Sequence, residues 1–490
     1  MTSSIAAPPT TLPTEYPDEM LTIARELGAP HYAHLFLTFT ERLDAKRLAR
    51  ALRLLVDAEP VLGCRFEITG KRSQWRRHAD PDAVPWLEVA TAPDHDTAVT
   101  RVLLAEQVPT DLSIVVRLFS LPSHDVMAVT VDHAAGDGQA LFECVYHLAE
   151  LYSILRERPD HRPVPNPTSR DGFAWQHGLS LRDKAQTLIR DMSGGGRTKR
   201  PSGVPSAHTL ESWKAVPRTS PAYVEGRIGP AELDAMNNLA RRDGTSEFTL
   251  LIAAMGRAFV DFAGPETSQP FHVQTVTNLR RFAPKSERPP IYNMLAHASV
   301  IFDPAREAPF AVTLENAKRE MERLRGAGVR GVLNPLAALL VRHLSYAAKR
   351  SLSEKAFRSR FRQPVPLTFS HAGRVDEART RFDGTAPERI LLIGGVLPMP
   401  VLLIAGMEYR RNLLLSIGYQ ADDISGERLR RFADGIAAQI PIRPAHPDRP
   451  DGALQSSDAN TKISMQPASG NAADVAGYAQ TSLVSPKSSL

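Results

Sequence analysis

Fifteen histidines are spread through this 490-residue chain, and one is set apart by its surroundings. Residues 126–139 read VMAVTVDHAAGDGQ. A β-branched run of the kind that forms strands ends at Val131. His133 follows, then three small residues, then Asp137 and Gly138, then an apolar stretch with helical spacing. The pattern is His-x-x-x-Asp-Gly across a strand–loop–helix junction. A histidine at a strand end is held by the sheet and can still face a cleft. Its ordinary pKa near ~6.5 suits proton abstraction at neutral pH. Asp137 has two readings: it caps the helix that follows, or it holds a basic partner and locks the loop. The competing reading is a satisfied core histidine beside a plain N-cap. Spacing alone is weak evidence, because His78 and Asp82 share it. That pair lies among prolines, is followed by Ala83 and has no strand leading in.

The elements that must position His133 are legible around it. Leu35–Thr40 reads as a strand. Asp44 caps a helix with Leu48, Leu52 and Leu55 on one face. Phe66 opens another strand, and Leu112–Leu121 and Asp125–Val131 are a strand pair around Pro122 and Ser123. Beyond Gly138, Leu141, Val145, Leu148, Tyr152 and Leu155 recur at helical spacing. Further on, strands are expected at Ala222–Ile228, Phe271–Val276, Ala298–Phe302, Leu392–Leu403 and Leu413–Tyr419. Helices are expected from Pro230, from Thr245/Ser246 and over Gly426–Ile440. Strands and helices mix without steady βαβ alternation and without an internal repeat, so the fold class is α+β.

Length favours two domains with tails. Residues 1–17, rich in Ser, Thr, Pro and Ala, read as a flexible arm. Residues 18–160 form an N-terminal subdomain carrying the motif. Residues 161–210 are a linker containing the Gly-rich, basic stretch Gly194–Ser206, preceded by the Pro-rich break Pro159–Pro167. Residues 211–442 form a C-terminal subdomain, and 443–490 lack the large apolar residues needed to order. With 59 basic and 54 acidic residues, net +5, the charge is too small and too dispersed for a nucleic-acid partner. Cys64 and Cys144 have no partners at metal spacing and read as buried thiols; no metal site is expected. No stretch approaches the ~20 apolar residues of a membrane span, and the N-terminus lacks the pattern of a signal peptide. A cytoplasmic location is the expectation.

The pattern His133, Asp137, Gly138 resembles the signature of the condensation-domain superfamily of acyltransferases. That superfamily includes nonribosomal peptide condensation domains, alcohol O-acetyltransferases, plant acyl-CoA-dependent acyltransferases and mycobacterial polyketide-associated acyltransferases. Other stretches are similar and stand in the same order: Leu43–Phe66, Asp111–Leu121, Gly244–Phe259, Val273–Phe282, Phe369–Val375 and Leu413–Ile436. The fourth carries the family arginine on Arg280. The fifth, FSHAGRV, is similar to a Ser-Asn-x-Gly-Arg stretch of the O-acyltransferase branch. The resemblance spans residues 20–442.

It implies two chloramphenicol-acetyltransferase-like subdomains forming a V-shaped pseudo-dimer, with His133 near the middle of a central tunnel. The implied reaction moves an acyl group from acyl-CoA or an acyl carrier protein to a hydroxyl or amine of a small-molecule acceptor. The phosphopantetheinyl thioester is a co-substrate, with no bound cofactor and no metal. His133 takes the acceptor's proton and returns it to the leaving thiolate. Asp137 supports the loop by pairing with Arg280, Gly138 permits the turn into the helix, and Ser370 and His371 line the tunnel. The Ser370–Arg374 stretch tilts the acceptor toward a hydroxyl. A monomer is expected. The sequence departs from the family at Asp132, where many condensation domains have a second histidine, and at His371, where the O-acyltransferase branch has asparagine. A non-catalytic docking module of a biosynthetic assembly remains the alternative, and dehydration or epimerisation of a carrier-bound substrate uses the same motif.

Overall fold

In a computed structural model of the chain, the described residues are 7–29, 32–106, 111–168, 170, 180, 182, 209–264, 270–282, 288–303, 308–326, 341, 343–362 and 365–441. The first half runs β1 (Thr11–Pro13), α1 (Tyr16–Glu26), β2 (Tyr32–Phe39), α2 (Ala45–Ala58), β3 (Cys64–Thr69), β4 (Arg72–Arg77), β5 (Leu87–Thr91), α3 (His95–Glu106), β6 (Ile114–Ser120), β7 (Asp125–Asp132) and α4 (Gly138–Glu157). The second half runs α5 (Leu210–Ala215), β8 (Pro221–Ile228), α6 (Pro230–Arg242), α7 (Glu247–Ala263), β9 (Phe271–Asn278), β10 (Leu295–Phe302), α8 (Phe310–Gly326), α9 (Tyr346–Phe361), β11 (Leu367–Arg374), β12 (Arg389–Ile393), β13 (Leu403–Tyr409), β14 (Asn412–Gln420) and α10 (Gly426–Ala438). The fold class is mixed α+β.

Local chemistry sets the helix starts. Asp44 accepts hydrogen bonds from the Lys46 and Arg47 amides ahead of α2, and Ser246 accepts from the Thr249 amide ahead of α7. Each satisfies amide donors that a helix N-terminus leaves without partners.

Among the described residues, three sheets organise the fold: β1-β4-β3, β12-β2-β7-β6-β5 and β10-β9-β11-β13-β14-β8. In the five-stranded sheet β7 is central, antiparallel to β2 and β6, with Tyr32 opposite Asp132 and Ile114 opposite Val131. Every residue of β7 is buried, because both faces are covered. Met127, Val129 and Val131 join a core that includes the apolar faces of α2 and α4. Val126 and Ala128 join a smaller core with Val99, Val102 and Leu103 of α3. The six-stranded sheet packs with α6, α7, α8 and α10 around a third core.

The structure departs from three sequence expectations. Residues 11–13 are not a loose arm: Thr11, Leu12 and Pro13 pair with Arg76, Trp75 and Gln74 of β4, so this segment supplies an edge strand. Leu392–Leu403 is not one strand. β12 ends at Ile393, and a segment containing Gly394, Gly395, Pro398 and Pro400 separates it from β13; proline removes the amide donors a ladder requires. Residues 211–442 are not self-contained either. β12 leaves the second half to pair with β2, Ile393 opposite His34, and the described residues of the two halves group as one compact unit. The proposed tail from 443 and most of the proposed linker lie outside the described residues.

Candidate active site

His133 follows β7 directly, so the centre of the sheet fixes its backbone. It lines a cavity of about 420 Å³, within the range of small-molecule sites. The walls come from both large sheets and from α1: Tyr16, Pro17, Met20 and Leu21 of α1; Tyr32 and Ala33 of β2; Val276 of β9; Leu295 and His297 of β10; Thr368, Ser370 and Ala372 of β11; and Leu392, Gly394, Leu403 and Ala405 near the β12–β13 segment. Most of this lining is apolar, and the polar groups are few.

The loop after His133 is held from several directions. The Asp137 carboxylate accepts from the Ala140 amide at 3.0 Å, capping α4. It also accepts from the Met294 amide at 2.9 Å and from Arg280 Nη1 at 2.8 Å. Arg280 donates its other Nη to the Tyr292 carbonyl at 2.7 Å and lies 4.9 Å from the Tyr292 ring centroid. Asp137 and Arg280 are thus brought together as a buried ion pair. Burial by itself would raise the Asp137 pKa, but the Arg280 guanidinium and the two amides outweigh it and hold the carboxyl below its ordinary value.

Within the loop, the crowded position is Gly136 rather than Gly138. A Cβ at Gly136 would stand 2.8 Å from Ala140 Cβ and 3.1 Å from Ile291 Cγ2. At Gly138 it would meet only Ala372 Cβ, at an ordinary 3.6 Å, and φ there is not left-handed. Gly138 instead lines the cavity, so its small size leaves space for a ligand.

Asp132 is turned away from the imidazole. It pairs with Arg25 of α1 and accepts from the Ala134 amide at 2.9 Å. The two neighbours at the strand end take opposite sides, as the two-residue period of a strand requires.

Alternation also separates the two positions on β11. Thr368, Ser370 and Ala372 line the cavity. His371, expected to line it as well, faces the other way. Its ring lies 6.2 Å from Phe248 and 5.9 Å from Phe369, and burial lowers its pKa.

Three site residues were not singled out from sequence. Asn293 lies just before β10 and is 2% exposed. Its side-chain oxygen is 3.1 Å from His133 Nδ1, and its Nδ2 donates to the His133 and Ala134 carbonyls at 2.7 and 3.2 Å. Arg170 donates to the Ala135 carbonyl at 3.0 Å, to the Ile291 carbonyl at 2.8 Å and to Asp18 of α1 at 3.0 Å. Arg25 anchors Asp132. All three lie far along the chain from the motif, and no spacing rule connects them to it. Only the helical pattern of α1 offered a signal, and the reading of residues 1–17 as an arm obscured its start.

Cys64 and Cys144 are buried and unbridged. Burial raises both thiols, Cys64 to about 11, so neither is set up as a thiolate nucleophile. Among the described residues, no group of three or more His, Cys, Asp or Glu side chains is arranged to hold a metal ion, and no helix is long and apolar enough to cross a membrane.

No family model and no curated protein matches the sequence. Solved structures do match along most of the chain. Trichothecene 15-O-acetyltransferase from Fusarium sporotrichioides aligns with a TM-score of 0.64 at 13% identity, covering 88% of this chain and 95% of that one. The first condensation domain of the calcium-dependent antibiotic synthetase aligns at 0.63 and 17%, covering 88% and 97%. Polyketide synthase associated protein 5 from Mycobacterium tuberculosis aligns at 0.59 and 13%, covering 87% and 97%. The chain therefore has the fold of these solved condensation-domain and acetyltransferase structures.

Proposed function

We propose that this protein transfers an acyl group from a thioester to the hydroxyl or amine of a small molecule, with His133 as the general base. The observation that carries the reading is His133 itself: an imidazole at the end of a buried central strand, on the wall of a largely apolar cavity between two sheets. Two features support it. The motif loop is fixed by a buried ion pair and by amide donors, which gives the rigidity that proton transfer at a set distance requires. The fold is that of solved proteins that include an O-acetyltransferase.

In this reading an unprotonated ring nitrogen of His133 takes the proton of the acceptor as its oxygen or nitrogen attacks the thioester carbonyl. The tetrahedral intermediate collapses, the carbon–sulfur bond breaks, and the imidazolium returns the proton to the departing thiolate. No redox partner enters the balance. The donor is acyl-CoA or an acyl group on a carrier protein. The apolar walls favour a hydrocarbon-rich acyl group or acceptor, because burying such surface contributes about 25 cal/mol per Å². O-acylation is preferred over N-acylation on the sequence likeness around Ser370.

The test is His133→Ala in a thioester-release assay with a panel of acyl thioesters and nucleophiles. A loss of about 10²–10⁴-fold in kcat, with thermal unfolding unchanged, is expected. Unchanged release would remove the enzyme reading and leave a docking module.

A further inference from the structure

We propose that Asn293 is a positioning residue that holds His133 in one tautomer, with the proton on Nδ1 and the lone pair on Nε2. The inference rests on the reading of His133 as a base and adds which nitrogen acts and what selects it.

The assignment follows from groups that can only accept. Asn293 Nδ2 is 2.7 Å from the His133 carbonyl and 3.2 Å from the Ala134 carbonyl. A carbonyl oxygen has no proton to give, so the atom facing both must be the amide nitrogen. The other end of the side chain is then the amide oxygen, 3.1 Å from His133 Nδ1. That oxygen also only accepts, so Nδ1 must be the donor. The opposite tautomer would set two lone pairs against each other beside a side chain that is 2% exposed.

Turning the amide over to suit the other tautomer would set its oxygen against the His133 and Ala134 carbonyls, two acceptors. The backbone that carries it is fixed on both sides: the Met294 amide donates to Asp137, and the Tyr292 carbonyl accepts from Arg280. The ion pair that secures the motif loop therefore also aims Asn293 at the imidazole. This gives the Asp137–Arg280 pair a route to the reacting nitrogen that needs no contact with it. A histidine base whose second nitrogen is held by a hydrogen-bond acceptor has its reactive nitrogen defined in advance.

The experiment is nitrogen NMR on the full chain labelled with ¹⁵N-histidine. His133→Gln identifies the His133 signals by their absence. The wild type is expected to show a protonated Nδ1 and an unprotonated Nε2 above the imidazole pKa. Asn293→Ala is expected to give a mixture of the two tautomers and to lower kcat by about 10–100-fold, with KM little changed, as for other partners that orient a histidine. A wild-type spectrum with Nε2 protonated overturns the proposal without needing any variant to fold. So does an Asn293→Ala protein that keeps both the tautomer and kcat. If His133→Ala retains activity while the wild-type tautomer is as stated, it is the catalytic reading that fails, and the structural role of Asn293 stands.

Discussion

Asp137 carries three hydrogen bonds at once, from Ala140, Met294 and Arg280. Only the first is local. Removing the carboxylate leaves Arg280 buried against a carbonyl with no counter-charge, so Asp137→Ala should cost about 3–5 kcal/mol in denaturant unfolding. Asp137→Asn should cost less, because it keeps an acceptor for the Ala140 amide. The carboxyl has a lower pKa folded than unfolded. Its contribution is therefore complete above the ordinary carboxylate value near ~3.9, and it is lost as pH falls through the depressed folded value. Acid titration of stability should show this component in the wild type and not in Asp137→Asn. The cap was legible in the sequence, since Asp before an apolar helix is a local signal. Asn293 was not, because its partners lie 160 and 159 residues away and no local preference marks an asparagine that serves a distant loop.

At the scale of elements, the expected strands and helices near the motif were found with small shifts in their ends. Periodicity and capping act within a few residues and are carried by the sequence itself. The failures have physical causes. β13 and β14 form a hairpin across Arg410 and Arg411, at φ 46° and 57°. That left-handed turn usually takes Asn-Gly or Asp-Gly, so two arginines give no hairpin signal, and the part of β13 beyond Leu403 is missing from the expected strands. β4 reads RSQWRR, too polar to look like a strand; it is ordered by pairing with both β1 and β3. α1, which supplies part of the cavity wall, is held in place by residues far along the chain. Asp18 is 1% exposed and is bonded by Arg170, Trp75 and the Glu15 amide. Arg170→Ala breaks the charge pairing and also releases the Ala135 carbonyl. A loss of about 3 kcal/mol is expected, read as a lower urea midpoint with the slope unchanged.

Across the whole molecule, the cavity exists because β12 crosses from the second half to the sheet of the first. The crossing places Leu392, Gly394 and Gly395 in the wall beside β2. Gly394 is compatible with that path because a Cβ there would lie 2.7 Å from Leu403 Cδ2. The alternation along β11 makes a paired prediction. Ser370→Phe should intrude on the cavity and shift preference toward shorter acyl thioesters, with kcat/KM for long donors falling about tenfold or more. His371→Asn should leave chain-length preference unchanged, because its ring packs on Phe248. The comparison is read from kcat/KM across a series of straight-chain acyl thioesters.

The sequence by itself determined the mixed α+β character, the strand that delivers His133, the loop of small residues and the helix capped by Asp137, because each depends on neighbours within a few positions. Tertiary structure alone decided that Asn293 faces the imidazole, that Arg25 and Arg170 tie the motif to α1, that His371 turns away from the cavity, and that β12 joins a sheet formed by the other half. Those outcomes depend on which distant backbones come within hydrogen-bonding distance, and that is set by the packing of the whole chain.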